Sequence, residues 1–349
     1  MEYYALRPGY EISRVIRGGW QLAGGHGAVD RRAAAADLLA SAEAGITAFD
    51  CADIYTGVEE IVGEFRTAYR SKRGAEALAR IKVHTKFVPD LDILATISKA
   101  HVASVIDQSL RRLKMERLDL VQFHWWDYTV SRYLDAASWL VELQKEGKIH
   151  LLGGTNFDTP RSAELIAHGY PLASMQVQYS LLDARAELGL APLGRERDMH
   201  ILCYGSVAGG FLSDRWLGQP EPQPPFENRS LTKYKLIIDD FGGWDLFQHL
   251  LTVMRRIADA HESDIATVAS RAMLERPQVA AVIVGARNRS HVAANQAIFA
   301  LRLTKADHAR IGDVLRQRQG PEGDTFTLER DRHGRHGSIM KYNLNKEAS

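Results

Sequence analysis

Apolar residues along this chain follow two rhythms. Short runs at residues 47–50, 81–86, 119–124 and 149–155 are rich in β-branched and aromatic side chains, the pattern of strands. Between them, residues 31–44, 58–69, 99–113 and 133–146 carry apolar positions at helical spacing, and Gly45 and Gly147 stop the first and last of these stretches. Further runs at 174–177, 201–204 and 280–284, with a Gly-rich apolar run at 14–20 ahead of the series, bring the strands to eight. Runs that are apolar throughout belong to strands buried on both faces. Eight of them with intervening helices predict an α/β fold, a (β/α)₈ TIM barrel, in preference to an open doubly wound sheet.

Three segments fall outside that alternation. Residues 3–13 read as a β-hairpin turned at Pro8-Gly9. Residues 213–243, with Pro220, Pro222, Pro224 and Pro225, are too long and too Pro-rich for a plain connection and predict a functional loop over the barrel mouth. The tail, residues 320–349, holds a charged cluster around Arg330–Arg335, and its Phe326, Met340 and Tyr342 predict docking back across the mouth. The expected organisation is one barrel domain, residues 1–319, followed by that tail.

The composition narrows the function classes. At 349 residues, 45% apolar and 25% charged, the chain can bury a large core, and its net charge of +1 gives no field for nucleic acid or an anionic membrane. Cys51 and Cys203 sit in apolar runs with no disulfide or zinc spacing, and the first residues lack a signal-peptide pattern, which together predict a cytoplasmic protein. No apolar run approaches the ~20 residues that span a bilayer. The expected partner is a small molecule, bound by a monomer or a homo-oligomer. There is no Gly-x-Gly-x-x-Gly fingerprint and no metal-ligand spacing.

Chemistry in such a barrel gathers where the strands end. The second, third and fourth strands end in Asp50, Lys86 and His124, and Tyr55 follows just beyond the first of these. A free phenol titrates near ~10, and a neighbouring ammonium stabilises its anion and lowers that value. Asp50 would keep Lys86 charged and oriented, and His124 is placed to hydrogen-bond a substrate oxygen. An acid tuned in this way protonates a carbonyl oxygen while hydride arrives at carbon. Two other uses of the same residues are a lyase, with Lys86 as a Schiff-base nucleophile, and a subunit that only senses a nucleotide.

With these residues in place the chain resembles the aldo-keto reductase family. The segment from Phe49 to Tyr55 looks like that family's Asp-x-Ala-x-x-Tyr segment, His84-Thr85-Lys86 like its lysine strand end, and Gln122-Phe123-His124-Trp125 like its histidine strand. The resemblance implies Tyr55 as general acid, Lys86 and Asp50 as its tuners and His124 as the substrate-orienting residue. It also implies Thr155, Asn156 and Gln176 on a nicotinamide carboxamide, Tyr204 stacked on that ring, and a pyrophosphate loop beginning at Gly205 and Ser206. Gly285, Ala286, Arg287, Arg289 and Asn295 would meet the adenosine phosphate. Gly19 and Trp20, where a Gly-Gly pair invites close approach, complete the expected cofactor contacts, with Asp50 beneath. The implied cofactor is NADPH/NADP+, with NADH as the other candidate. Where many members carry an arginine and then Glu-Asn, this chain has His291 and Ala294-Asn295, so Arg287 and Arg289 would supply the charge. Trp20, Trp125 and Trp126 are candidates to line an aromatic substrate pocket, with Trp125, next to His124, placed best and Trp126 suited equally to core packing.

Overall fold

The computed structural model of the chain describes residues 1–24, 29–285 and 292–345. It opens with the antiparallel hairpin β1 (Tyr3–Arg7) and β2 (Tyr10–Ser13). Eight strands follow: β3 (Val15–Gly18), β4 (Ala48–Asp50), β5 (Lys82–Phe87), β6 (Leu118–Phe123), β7 (Ile149–Thr155), β8 (Leu172–Gln178), β9 (His200–Tyr204) and β10 (Val279–Gly285). They pair in parallel in the order β10-β3-β4-β5-β6-β7-β8-β9 and close on themselves. The predicted TIM barrel is the observed one.

Helices alternate with these strands: α1 (Arg31–Glu43), α2 (Val58–Ala79), α3 (Lys99–Leu113), α4 (Tyr133–Lys145), α5 (Thr159–Ala167), α6 (Arg185–Leu188) and α7 (Leu190–Arg197). Then come α8 (Arg229–Phe241), α9 (Gly243–Ala260), α10 (Ile265–Leu274), α11 (Val292–Ala300), α12 (Lys305–Leu315) and α13 (Thr327–Arg330). Their starts are chemically marked: the Asp30, Ser98, Asp158 and Asp264 side chains accept hydrogen bonds from first-turn amides of α1, α3, α5 and α10. In α3 the buried positions Val102, Ile106, Ser109 and Leu113 recur at helical spacing, which turns one stripe of the helix onto the barrel.

Two apolar clusters hold the fold. The larger fills the shell between strands and helices. The smaller lies inside the barrel, where Leu6, Tyr10 and Ile12 of the hairpin meet Ile16, Ala48, Leu120 and Leu202. The hairpin thus stoppers the end at which the strands begin, and a cavity opens where they finish.

Two expectations need correction. The helix after β4 runs on to Ala79, past a non-helical Gly74. The segment at 213–243 is not a loop throughout, because after a short turn at Asp214–Trp216 it contains the 13-residue α8, capped by Asn228. Its prolines all precede that cap, so the composition of the first half masked the amphipathic second half. The tail is laced to the body: Gln319 N donates to Phe241 O, Leu91 N to Tyr342 O, and Asn345 N to Asp90 Oδ1.

Candidate active site

Strand pleating places the polar groups of the barrel mouth. In β5, Thr85 points outward and donates to Glu59 of α2 at 2.7 Å, so the next residue, Lys86, points in. Register sets Lys86 beside Gln122 of β6, and Thr155 of β7 beside Gln176 of β8. Asp50 at the end of β4 is the centre of this layer. Its Oδ2 accepts from Lys86 Nζ at 2.7 Å, and its Oδ1 accepts from Gln176 Nε2 at 2.6 Å and Gln122 Nε2 at 3.2 Å. Lys86 also donates to Cys51 O at 2.8 Å. Burying an ion pair costs more than its attraction returns unless the remaining lone pairs and protons find partners, and here they do.

Gly19 explains how β3 lies close enough to take part. A Cβ there would stand 2.7 Å from Asp50 O and 2.8 Å from a Val58 methyl, so only glycine lets the two strand ends meet.

Tyr55 stands over this layer. Lys86 Nζ lies 4.9 Å from the centre of its ring, and the Trp20 ring meets it edge-on at 5.1 Å. The loop that bears Tyr55 is tied down by Asp53, whose carboxylate accepts from Val88 N and from Ile54 N, both at 2.9 Å. Asp53 therefore positions Tyr55 against the exit of β5. Burial pushes the Tyr55 hydroxyl up to about 12, and Lys86 only pulls against that rise. The expected net lowering is not found, because desolvation of a closed site outweighs one cation already shared with Asp50. Burial also works to discharge Lys86, but Asp50 and Tyr55 hold its ammonium up at about 12.

His124 follows β6. Its Nδ1 lies 3.0 Å from Thr155 O, and since a carbonyl only accepts, Nδ1 carries the proton. Burial, with help from Arg330, pushes the ring down to about 3, so it is neutral and Nε2 is a bare acceptor with no partner among the described residues. Trp126 meets this ring edge-on at 4.3 Å and Phe326 at 5.6 Å.

A cavity of about 570 Å³ opens above these groups. Asp50, Tyr55, Lys86 and His124 all border it, as do Trp20, Thr155, Asn156, Gln176, Tyr204, Gly205, Ser206, Gly285 and Asn295. Tyr204 donates to Asn156 Oδ1 at 2.9 Å, which fixes its ring. At Gly205, with φ of +75°, a Cβ would lie 2.2 Å from the Tyr234 hydroxyl. Two buried polar atoms on the wall, Ser206 Oγ and Asn295 Nδ2, have no hydrogen-bond partner among the described residues. Orphaned hydrogen-bonding groups beside a fixed aromatic face suit a ligand with a flat polar ring and phosphates, so the wall fits a nicotinamide dinucleotide.

Several expectations are not met or not covered. Trp125 is fully buried and faces away from the cavity, its Nε1 donating to Asp127 O and Val130 O. Trp126 lines the cavity instead. Gly19 acts through its backbone rather than the wall. Ala286, Arg287 and Arg289 lie outside the described residues. Gln122, Lys233 and Tyr234 were missed, and Phe326 was expected to dock the tail but not to border the site. Gln122 was legible as the inward neighbour of His124, but Lys233 and Tyr234 sit on the helix hidden in a presumed loop and Phe326 in the tail. Among the described residues no His, Cys, Asp or Glu group is gathered for a metal, and no helix is long and apolar enough to cross a membrane.

The tail forms the outer wall. Arg185 donates to both Glu329 oxygens at 2.9 Å and to Asp183 at 2.8 Å, with all three side chains buried. Arg330 stacks on Tyr128, 4.2 Å from its centre, and donates to Trp125 O. These bonds hold Phe326 beside His124.

Comparison with known proteins follows the same line. Residues 14–316 match the family model described as Aldo/keto reductase family. Aldo-keto reductase YhdN of Bacillus subtilis (strain 168) is 27% identical over 90% of this chain and 94% of its own length. An NADH-specific methylglyoxal reductase of Escherichia coli (strain K12) is 24% identical over 85% of this chain and 92% of its own. Flagellar radial spoke protein 5 of Chlamydomonas reinhardtii is 27% identical over 63% of this chain, which spans about half of that relative, 48%. The solved glycerol dehydrogenase of Gluconobacter oxydans superposes with a TM-score of 0.75 at 23% identity, covering 91% of this chain and 96% of that one, a likeness of fold.

Proposed function

The chain belongs to the aldo/keto reductase family, and on that premise we propose that it is a nicotinamide-dependent oxidoreductase interconverting an aldehyde or ketone with its alcohol. The observation that carries this reading is the run from Asp50 through Lys86 to Tyr55, placed beside His124 Nε2 on the wall of one cavity. Tyr55 is the general acid–base. Its hydroxyl is protonated at neutral pH and donates to the carbonyl oxygen as charge grows there, and Lys86 stabilises the phenolate left behind. His124, neutral with its proton on Nδ1, offers Nε2 to a substrate O–H. Trp20, Trp126 and Phe326 exclude water around the reacting carbon. Thr155, Asn156, Gln176, Tyr204, Ser206 and Asn295 would hold the dinucleotide, which when bound would supply or accept the hydride.

Lys86 as a Schiff-base nucleophile finds no support in this geometry, because an ammonium held charged by Asp50 has no lone pair to attack with. NADP(H) is the dinucleotide we favour, with Arg287 and Arg289 on its adenosine phosphate. The E. coli relative named for NADH specificity makes the side-by-side comparison of the two dinucleotides the first measurement to make. Two unpaired buried cysteines, Cys51 and Cys203, suit a reducing cytoplasm. The deciding experiment is a steady-state screen of aldehydes, ketones and alcohols with NADPH and NADH. Absence of nicotinamide-coupled turnover in wild-type protein that binds the dinucleotide would remove the enzymatic reading in favour of a sensor.

A further inference from the structure

Lys233 of α8 lines the cavity, and among the described residues its ammonium has no hydrogen-bond or ion-pair partner. Nζ lies 5.0 Å from the centre of the Tyr204 ring, 5.8 Å from Tyr234 and 5.7 Å from Phe326, a cage of three aromatic faces. Among the described residues no carboxylate lies within 4 Å of it. Its neighbour Lys235 behaves otherwise, ion-paired with Glu221 at 2.7 Å and with Asp239. A cation in apolar surroundings tends to shed its proton unless charge nearby compensates it. That charge comes from the Arg185 cluster: Asp183 and Glu329 together carry one negative charge more than Arg185 neutralises, and both carboxylates are already spent on the guanidinium. Burial lowers the Lys233 ammonium from the ordinary lysine value, and Glu329 pulls it back. Asp183 and Glu329 thus work from a distance against the effect of burial on Lys233, and its N–H donors meet no acceptor among the described residues.

We propose that Lys233 recognises an anionic group on the substrate, so that the protein acts on aldehydes, ketones or alcohols bearing a carboxylate or a phosphate. This rests on the oxidoreductase reading, with Tyr204 as the nicotinamide platform. The substrate is favoured over the dinucleotide as the source of the anion because of where the third ring stands. Phe326 is a neighbour the two groups share, its ring centre 5.7 Å from Lys233 Nζ and 5.6 Å from the imidazole centre, so the ammonium and His124 flank one side chain of the cavity wall. An ammonium is a point charge and does not by itself separate carboxylate from phosphate.

The test is a ratio of kcat/KM values measured on the full chain. For 4-carboxybenzaldehyde over its methyl ester, or for glyceraldehyde 3-phosphate over glyceraldehyde, wild type is expected to favour the anion by at least ~10-fold, one well-made charged contact. Lys233→Met and Lys233→Gln should bring that ratio to near 1, and Lys233→Arg should keep most of it. The pair that responds names the anion. No preference in wild type for either anion, or a ratio that survives both neutral substitutions, overturns the proposal. So does a tenfold rise in the dissociation constants of NADPH and NADH with the ratio unchanged, which would give Lys233 to the dinucleotide phosphates. If wild type turns over no carbonyl at all, the oxidoreductase reading fails separately. Binding of 4-(hydroxymethyl)benzoate, followed by quenching of tryptophan fluorescence, then decides: at least ~10-fold weaker binding to Lys233→Met supports the anion site, and equal binding sinks it.

Discussion

The ammonium of Lys86 lies 2.7 Å from Asp50 Oδ2, and each side chain is only 5% exposed. Neither charge is tolerable there alone. Asp50→Asn should therefore leave Lys86 uncompensated, lower its charge, and with it the support for a Tyr55 phenolate. Turnover should fall by ~10²-fold or more, and unfolding in urea should show a loss of ~3–5 kcal/mol, the usual cost of breaking a buried pair from one side. A variant with wild-type turnover would mean that the pair is purely structural.

Tyr55→Phe removes one hydroxyl while keeping the ring against Trp20. We expect dinucleotide affinity within about twofold of wild type and kcat lower by ~10³, in line with loss of a general acid. Fluorescence titration and steady-state rates check the two halves. Retained turnover would take the proton-transfer role away from Tyr55.

The pH dependence has a definite sign. Reduction needs Tyr55 protonated, and with its hydroxyl pushed up to about 12 it should show no loss of rate from this group between neutrality and pH 9. Oxidation needs the phenolate and should keep rising with pH through that interval. Lys86 pulls the Tyr55 value down, so Lys86→Met should move the alkaline limb of oxidation to still higher pH. A limb that stays in place would separate Lys86 from Tyr55.

Glu329 holds the tail to the barrel. Burial works to raise its carboxyl, but Arg185 overrides this and holds it at about 2, below the ordinary 4.5. A depressed acid contributes stability that is whole above its unfolded value and is lost as pH falls toward the folded one. The tail should loosen between about pH 4.5 and about pH 2. At neutral pH, Glu329→Gln should expose Arg330, Arg332 and Arg335 to trypsin and raise KM, because Phe326 is no longer held beside His124. Proteolysis at the wild-type rate would show that other contacts suffice.

The adenosine end gives a prediction that rests on sequence. Arg287→Ala should weaken NADPH at least ~10-fold more than NADH. Equal weakening of both would place the adenosine phosphate elsewhere.

The sequence by itself determined the barrel, because strands buried on both faces and amphipathic helices leave different periodicities, and eight alternations admit few arrangements. It also located Asp50, Lys86 and His124, since residues at successive strand ends of a barrel must converge whatever their identity. Trp125 and Trp126 mark where that reasoning stops. Beyond Phe123 the strand has ended, the alternation of faces no longer binds, and the turn after it sends Trp125 into the shell and Trp126 to the cavity. The tertiary structure alone decided what depends on distance between remote segments or on burial: Lys233 and Phe326, separated by most of the last third of the chain, meet at one wall. It also decided the direction in which Tyr55 is shifted. Proximity of a lysine is readable from sequence, but desolvation is set by everything packed around the hydroxyl, and here it is the larger effect.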